Sequence, residues 1–105
     1  MGQFTVYRNK NPRTKSAFPL LVDVQSDVLE DLHTRVVIPL TQAAALAKRP
    51  LAHLTPVLPF DGENFVLMTP QLAGIGRAEL GVAIGNLANE RQTIIAAMDF
   101  LLTGF

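Results

Sequence analysis

"HLTPVLPFDGENFVLMT", His53 to Thr69, sets two short apolar runs on either side of Asp61-Gly62. That dipeptide readily takes the positive φ angles of a two-residue hairpin turn, because glycine has no Cβ and aspartate tolerates the left-handed region. The flanking runs, His53 to Phe60 and Glu63 to Thr69, have strand length and are predicted to pair antiparallel. Pro56 and Pro59 have no N–H to give to a ladder, so the first run belongs at a sheet edge or breaks at a bulge.

Working upstream, the same period of two recurs. "QFTVY" (Gln3 to Tyr7) alternates, and "FPLLVDVQ" (Phe18 to Gln25) and "RVVIPL" (Arg35 to Leu40) are aliphatic runs that also read as strands. "TQAAALAKR" (Thr41 to Arg49) is predicted to form one or two helical turns, capped by Thr41 and stopped by Pro50. Downstream, "QLAGIGRAELGVAIGN" (Gln71 to Asn86) holds four glycines that interrupt a helix while its aliphatic residues keep it apolar, which suggests a short strand and turns.

The period changes in "NERQTIIAAMDFLL", Asn89 to Leu102. Asn89 and Gln92 stand at the spacing of a capping box, which predicts a helix start. At about 100° per residue, Ile94, Ile95, Met98, Leu101, Leu102 and Phe105 fall in one stripe, so these six are expected to be buried. Gly104 ends the regular turn. Ala96, Asp99, Phe100 and Thr103 occupy the opposite face, which reads as solvated with one stray aromatic. The fold class expected is mainly β with a C-terminal α-helix.

With 105 residues, 49% of them hydrophobic, the chain is sized for one small domain, taken as residues 1–105. Nine basic residues balance nine acidic ones, which excludes a general attraction to nucleic acid or anionic lipid. There is no cysteine, and two lone histidines, His33 and His53, do not suggest a structural zinc site. No stretch approaches the roughly 18 apolar residues of a membrane span, and no sorting signal is recognised. A cytoplasmic protein without metal or cofactor is expected.

Candidate chemistry is sparse. "GIGRAELG" lacks the Lys-Ser/Thr of a phosphate loop and the full dinucleotide fingerprint. Asp23, Asp27, Glu30 and Asp31 cluster in "DVQSDVLED", which reads as a solvated strand end and turn. Arg8, Lys10, Arg13 and Lys15 gather in "RNKNPRTK" without aromatic residues on which bases would stack. Neither histidine has a serine in a nucleophile-elbow context. No residue pattern demands an enzyme.

The strings "QFTVY", "LVDVQSD" (Leu21 to Asp27), "VVIPL" (Val36 to Leu40), the "PV" of "HLTPVL", the "LMT" of "FVLMT" and the apolar C-terminal helix occur in an order that resembles the CcdB family over essentially the whole chain. The resemblance implies an SH3-like antiparallel β-barrel that forms a homodimer, and a toxin of a toxin–antitoxin module rather than an enzyme. It further implies binding to the A subunit of DNA gyrase, trapping of the gyrase–DNA cleavage complex, and neutralisation by a CcdA-type antitoxin. Operator DNA would be bound only through the antitoxin complex. By family position the gyrase-facing residues are Asp99, Thr103, Gly104 and Phe105, with Val28 and Leu29, and the twofold contact is Leu101. Only Gly104 is an identity. The best-known members have Trp at the position of Thr103, so Phe100 or Phe105 is the candidate to supply the missing aromatic area. Two rival readings are a messenger-RNA endoribonuclease of the MazF or Kid type, acting through the Arg8 to Lys15 loop, and a CcdB-like protein that binds antitoxin but no longer poisons gyrase.

Overall fold

The computed structural model describes residues 2–104, among which seven strands precede one α-helix. The strands are β1 (Thr5–Asn9), β2 (Leu20–Asp23), β3 (Thr34–Gln42), β4 (Val57–Phe60), β5 (Glu63–Leu67), β6 (Ala73–Gly76) and β7 (Leu80–Asn86), and the helix is α1 (Arg91–Thr103). All strand pairs are antiparallel, in the order β4-β5-β3-β2-β1-β7, with β6 also paired to β3. The predicted hairpin is present: Phe60 faces Glu63 across Asp61 and Gly62, whose φ angles are 52° and 79°. Its first strand lies at the sheet edge, where Pro59 leaves no ladder bond unmade.

The curl of the sheet follows from β3. Its C-terminal residues Leu40 to Gln42 pair with β5, while Thr34 to Val37 pair with β6 on the same flank. β6 then reaches β7, which pairs with β1, through a 3-10 turn of only three residues, Arg77–Glu79. So short a link brings the two ends of the β6-β3-β2-β1-β7 series near each other, and the sheet must curl into a half-barrel. Gly81 permits the close approach of β7 to β1, because a Cβ there would stand 2.5 Å from the Arg8 carbonyl oxygen.

Strand alternation then divides the side chains between two interiors. Val6, Val22 and Ile38 sit in register across β1, β2 and β3, and with Leu20, Leu40, Leu58 and Leu67 they build the main core, which α1 covers with Ile94 and Ala97. The alternate residues Tyr7, Leu21, Asp23, Arg35 and Val37 turn to the inside of the curl and are also buried.

Three local expectations are corrected. Residues 41–49 form no helical turns of α type: β3 continues through Gln42, a 3-10 turn covers Ala43–Ala45, and the Thr41 hydroxyl donates to the Ala17 carbonyl instead of capping. The Asn89/Gln92 capping box is not formed, because a 3-10 turn over Ala88–Glu90 runs into α1 and moves the chain's entry upstream, where Asn86 Oδ1 accepts from the Ala88 N–H. The buried stripe of α1 is shorter than its pattern. Ile94 is buried and Ile95 and Met98 are packed against the core, but Leu101 is 36% and Leu102 78% exposed, since the last turn extends past the sheet that covers the earlier ones.

Candidate functional site

The end of α1 gathers three of the six residues expected to face gyrase, Asp99, Thr103 and Gly104. Asp99 and Thr103 are exposed, one helical turn apart, and the Thr103 hydroxyl donates to the Asp99 carbonyl at 2.7 Å. This is a side-chain bond back to the carbonyl one turn earlier, made in addition to the helix's own backbone ladder, and it fixes the Thr103 hydroxyl against the helix. Gly104 follows at φ 81°, and its N–H donates to the Phe100 carbonyl at 2.9 Å, which is the left-handed stop that glycine adopts without steric cost. No basic side chain stands in the last turn, so the negative end of the helix dipole is left uncompensated. Leu101 and Leu102 add apolar surface beside it. Phe105 lies outside the described residues.

Phe100 is not a stray solvated aromatic. Its ring is half-buried and tilted against His53, with centroids 6.0 Å apart, so the segment before β4 rests on the outer face of α1. A cleft of about 470 Å³ between them is lined by Ala52, His53, Gln92, Thr93, Ala96 and Phe100. His53 is not a candidate from sequence, because its contact spans 47 residues and no local spacing announces it.

Val28 and Leu29 form an exposed 3-10 turn, Asp27–Leu29, after the Ser26 cap. That turn is tied to the opposite end of the helix: the Gln3 N–H donates to Asp27 Oδ1 at 2.7 Å, and the Gln3 side chain accepts from Arg91 Nη1 at 3.4 Å. From Arg91 to Thr103 the helix rises about 18 Å at about 1.5 Å per residue. The structure therefore presents two separate surfaces within one chain, one at Val28 and Leu29 and one at Asp99 to Gly104.

Behind the Val28 turn lies a polar cluster. Contrary to the expectation of a solvated acid, Asp23 is buried, because β-sheet register turns it to the inside of the curl beside Arg35. Arg35 Nε donates to Asp23 Oδ2 at 2.7 Å, with the two side chains 3% and 2% exposed. Asp23 Oδ1 accepts from the Gln25 N–H, and Gln25 links Val36 on β3 to the Leu29 carbonyl. Burial pushes the neighbouring Tyr7 phenol above its usual 10.0, and the Asp23 carboxylate adds to the shift against the opposing charge of Arg35. The folded chain thus holds this proton more tightly than the unfolded chain. The resulting stability is fully present below about pH 10 and is lost as pH rises through the folded value. Tyr7 is the only tyrosine and there is no tryptophan, so phenolate absorbance reports it alone. We expect its midpoint above 10.0, with the melting temperature falling over the same range; a midpoint at or below 10.0 would remove the effect.

Among the described residues no group of three or more His, Cys, Asp or Glu side chains is placed to hold a metal ion, and no helix is long and apolar enough to cross a membrane. The Arg8 to Lys15 loop is exposed apart from the half-buried Asn9 and Thr14, and Asn9 braces it by donating to Thr14 Oγ1 and the Phe18 carbonyl. The family model described as CcdB protein matches residues 3–104 of this 105-residue chain.

Proposed function

Because the chain belongs to the CcdB family, and so to the toxins of toxin–antitoxin modules, we propose that it binds the A subunit of DNA gyrase through the end of α1 and traps the gyrase–DNA cleavage complex. The observation that carries this reading is the last turn itself. Leu102, 78% exposed, stands beside Thr103 and the left-handed Gly104 on a helix end that its own sheet does not cover. Such a surface offers an apolar contact, free carbonyls and a negative dipole end to a partner that brings cationic or N–H donors.

Trapping needs no catalytic group on this chain. A protein that binds one intermediate of the topoisomerase better than the others raises that intermediate's population by the difference in affinity. The same surface suits a CcdA-type antitoxin, which would relieve the poisoning by occupying it. In a homodimer with Leu101 at the twofold contact, the Val28–Leu29 turn of one protomer and the helix end of the other can form one composite face. With Thr103 in place of an indole, aromatic area would come from Phe100, whose ring already lies on this side of the helix against His53.

Purified protein, gyrase, supercoiled DNA and ATP test the reading directly. Linear DNA released on denaturing the gyrase is the expected product, and its disappearance on adding a CcdA-type antitoxin is the expected reversal. Supercoiling that proceeds without any linear product would leave an antitoxin-binding protein that has lost poisoning. RNA cleavage in the absence of gyrase would replace the proposal with the endoribonuclease reading.

A further inference from the structure

Arg35 uses only two of its three guanidinium nitrogens. Nε donates to Asp23 and Nη2 donates to the Gln25 carbonyl at 3.2 Å, while the buried Nη1 meets no acceptor among the described residues. Guanidinium hydrogens lie in one rigid plane, so the two bonds already made fix where Nη1 points. Arg35 lines a cleft of about 240 Å³ together with Tyr7, Asp23, Glu30 and Arg77. Arg77 donates through Nη2 to the carbonyls of Glu30 and Leu32, which are neutral acceptors. No carboxylate lies within salt-bridge distance of Arg77 among the described residues. The residues of this cleft thus include an arginine with one buried nitrogen unsatisfied, a second arginine without an ion pair among the described residues, and a tyrosine.

We propose that this cleft is a carboxylate-binding site, taking one singly charged oxyanion between Arg35 Nη1, Arg77 and Tyr7. Charge accounting selects the class. Arg35 and Arg77 are balanced in number by Asp23 and Glu30, so the lined cleft is neutral before a ligand enters. A monoanion leaves it with one net negative charge, whereas a dianionic phosphate leaves two beside two carboxylates in a confined space. A planar carboxylate also matches the parallel N–H directions of a guanidinium. The carboxylate is either that of a free small acid or that of an aspartate or glutamate side chain on a docking polypeptide. The cleft lies behind the Val28 turn and away from the end of α1, and the free protein without gyrase is enough to test its occupancy.

Tyr7, as the single tyrosine in a chain without tryptophan, reports the site by its own fluorescence. Sodium acetate titrated against sodium chloride of equal ionic strength is expected to give a saturable change. Arg77→Gln is expected to weaken acetate binding about tenfold or more, through loss of a charged donor. Glu30→Gln, which removes a competing carboxylate, is expected to tighten it about two- to fivefold. These opposite signs separate a binding site from a loosened fold, and far-UV circular dichroism checks that both variants retain the sheet. A blocked aspartyl amide that binds more tightly than acetate assigns the site to a polypeptide side chain, and the reverse order assigns it to a free acid. No saturable response to either probe would mean that Nη1 is hydrated only, and tighter binding of inorganic phosphate would overturn the carboxylate assignment.

Discussion

Asp23→Ala is expected to cost about 3–5 kcal/mol of folding stability, because it leaves the Arg35 charge buried without its counter-ion. A domain of this length has a total net stability of about 5–15 kcal/mol, so the variant is expected to sit close to the folding threshold. The loss has two parts. The Arg35 guanidinium would keep one bond, to the Gln25 carbonyl, on a side chain only 3% exposed. The Gln25 N–H would lose Asp23 Oδ1, and with it the brace that joins β2 to β3 beyond the end of their ladder. Urea unfolding followed by circular dichroism measures the effect. Replacing both partners, as in Asp23→Leu with Arg35→Met, is expected to recover most of the stability, since an apolar pair of similar volume avoids the desolvation of both charges. A loss below about 1 kcal/mol in Asp23→Ala would place the pair in the class of solvated surface bridges and defeat the account.

This pair also shows where sequence reasoning reaches and where it stops. The hairpin at Asp61-Gly62, the edge position of the proline-containing strand and the change to a helical period in Asn89 to Leu102 are written in local chemistry, and each appears in the fold, the helix itself beginning at Arg91. Of the family strings, "VDVQSD" begins on β2 and runs past its end into the Asp27 turn, and "VVIPL" lies within β3, the strand that pairs with β2. Asp23 reads wrongly from sequence, because an acidic residue next to Gln25 and Ser26 looks like a strand end facing water. Its burial depends on the register of β2 against β3 and on a three-residue link that curls the sheet around it, and neither is local. The stripe on α1 reads as too long for a related reason. Periodicity defines which residues share a helix face, but the length of sheet beneath decides how many of them are covered. At the candidate site, Gly104 as the helix stop follows from the sequence and Val28 enters only through the family resemblance, whereas the His53–Phe100 contact follows from neither.

Leu102→Asp is expected to separate folding from function. Leu102 is mostly exposed, so its replacement is expected to change stability by no more than about 0.5 kcal/mol. Ile94→Ala on the same helix removes a fully buried side chain from the main core and is expected to cost about 2–5 kcal/mol. Yet the two should rank in the opposite order for gyrase. A carboxylate at residue 102 adds negative charge beside Asp99 and the negative end of the helix dipole, and it removes an apolar contact near the centre of the proposed surface. Truncating an anchor of this kind costs about 2 kcal/mol or more, so affinity for gyrase is expected to fall by about thirtyfold or more. Ile94→Ala, measured at a temperature where it remains folded, is expected to bind nearly as well as the unsubstituted protein. Sedimentation of Leu102→Asp distinguishes a lost contact with gyrase from a lost contact between two copies, because only the latter changes the mass of the free protein. Should Leu102→Asp bind gyrase undiminished, the end of α1 would not be the gripping surface, and the exposed Val28 turn would become the place to look.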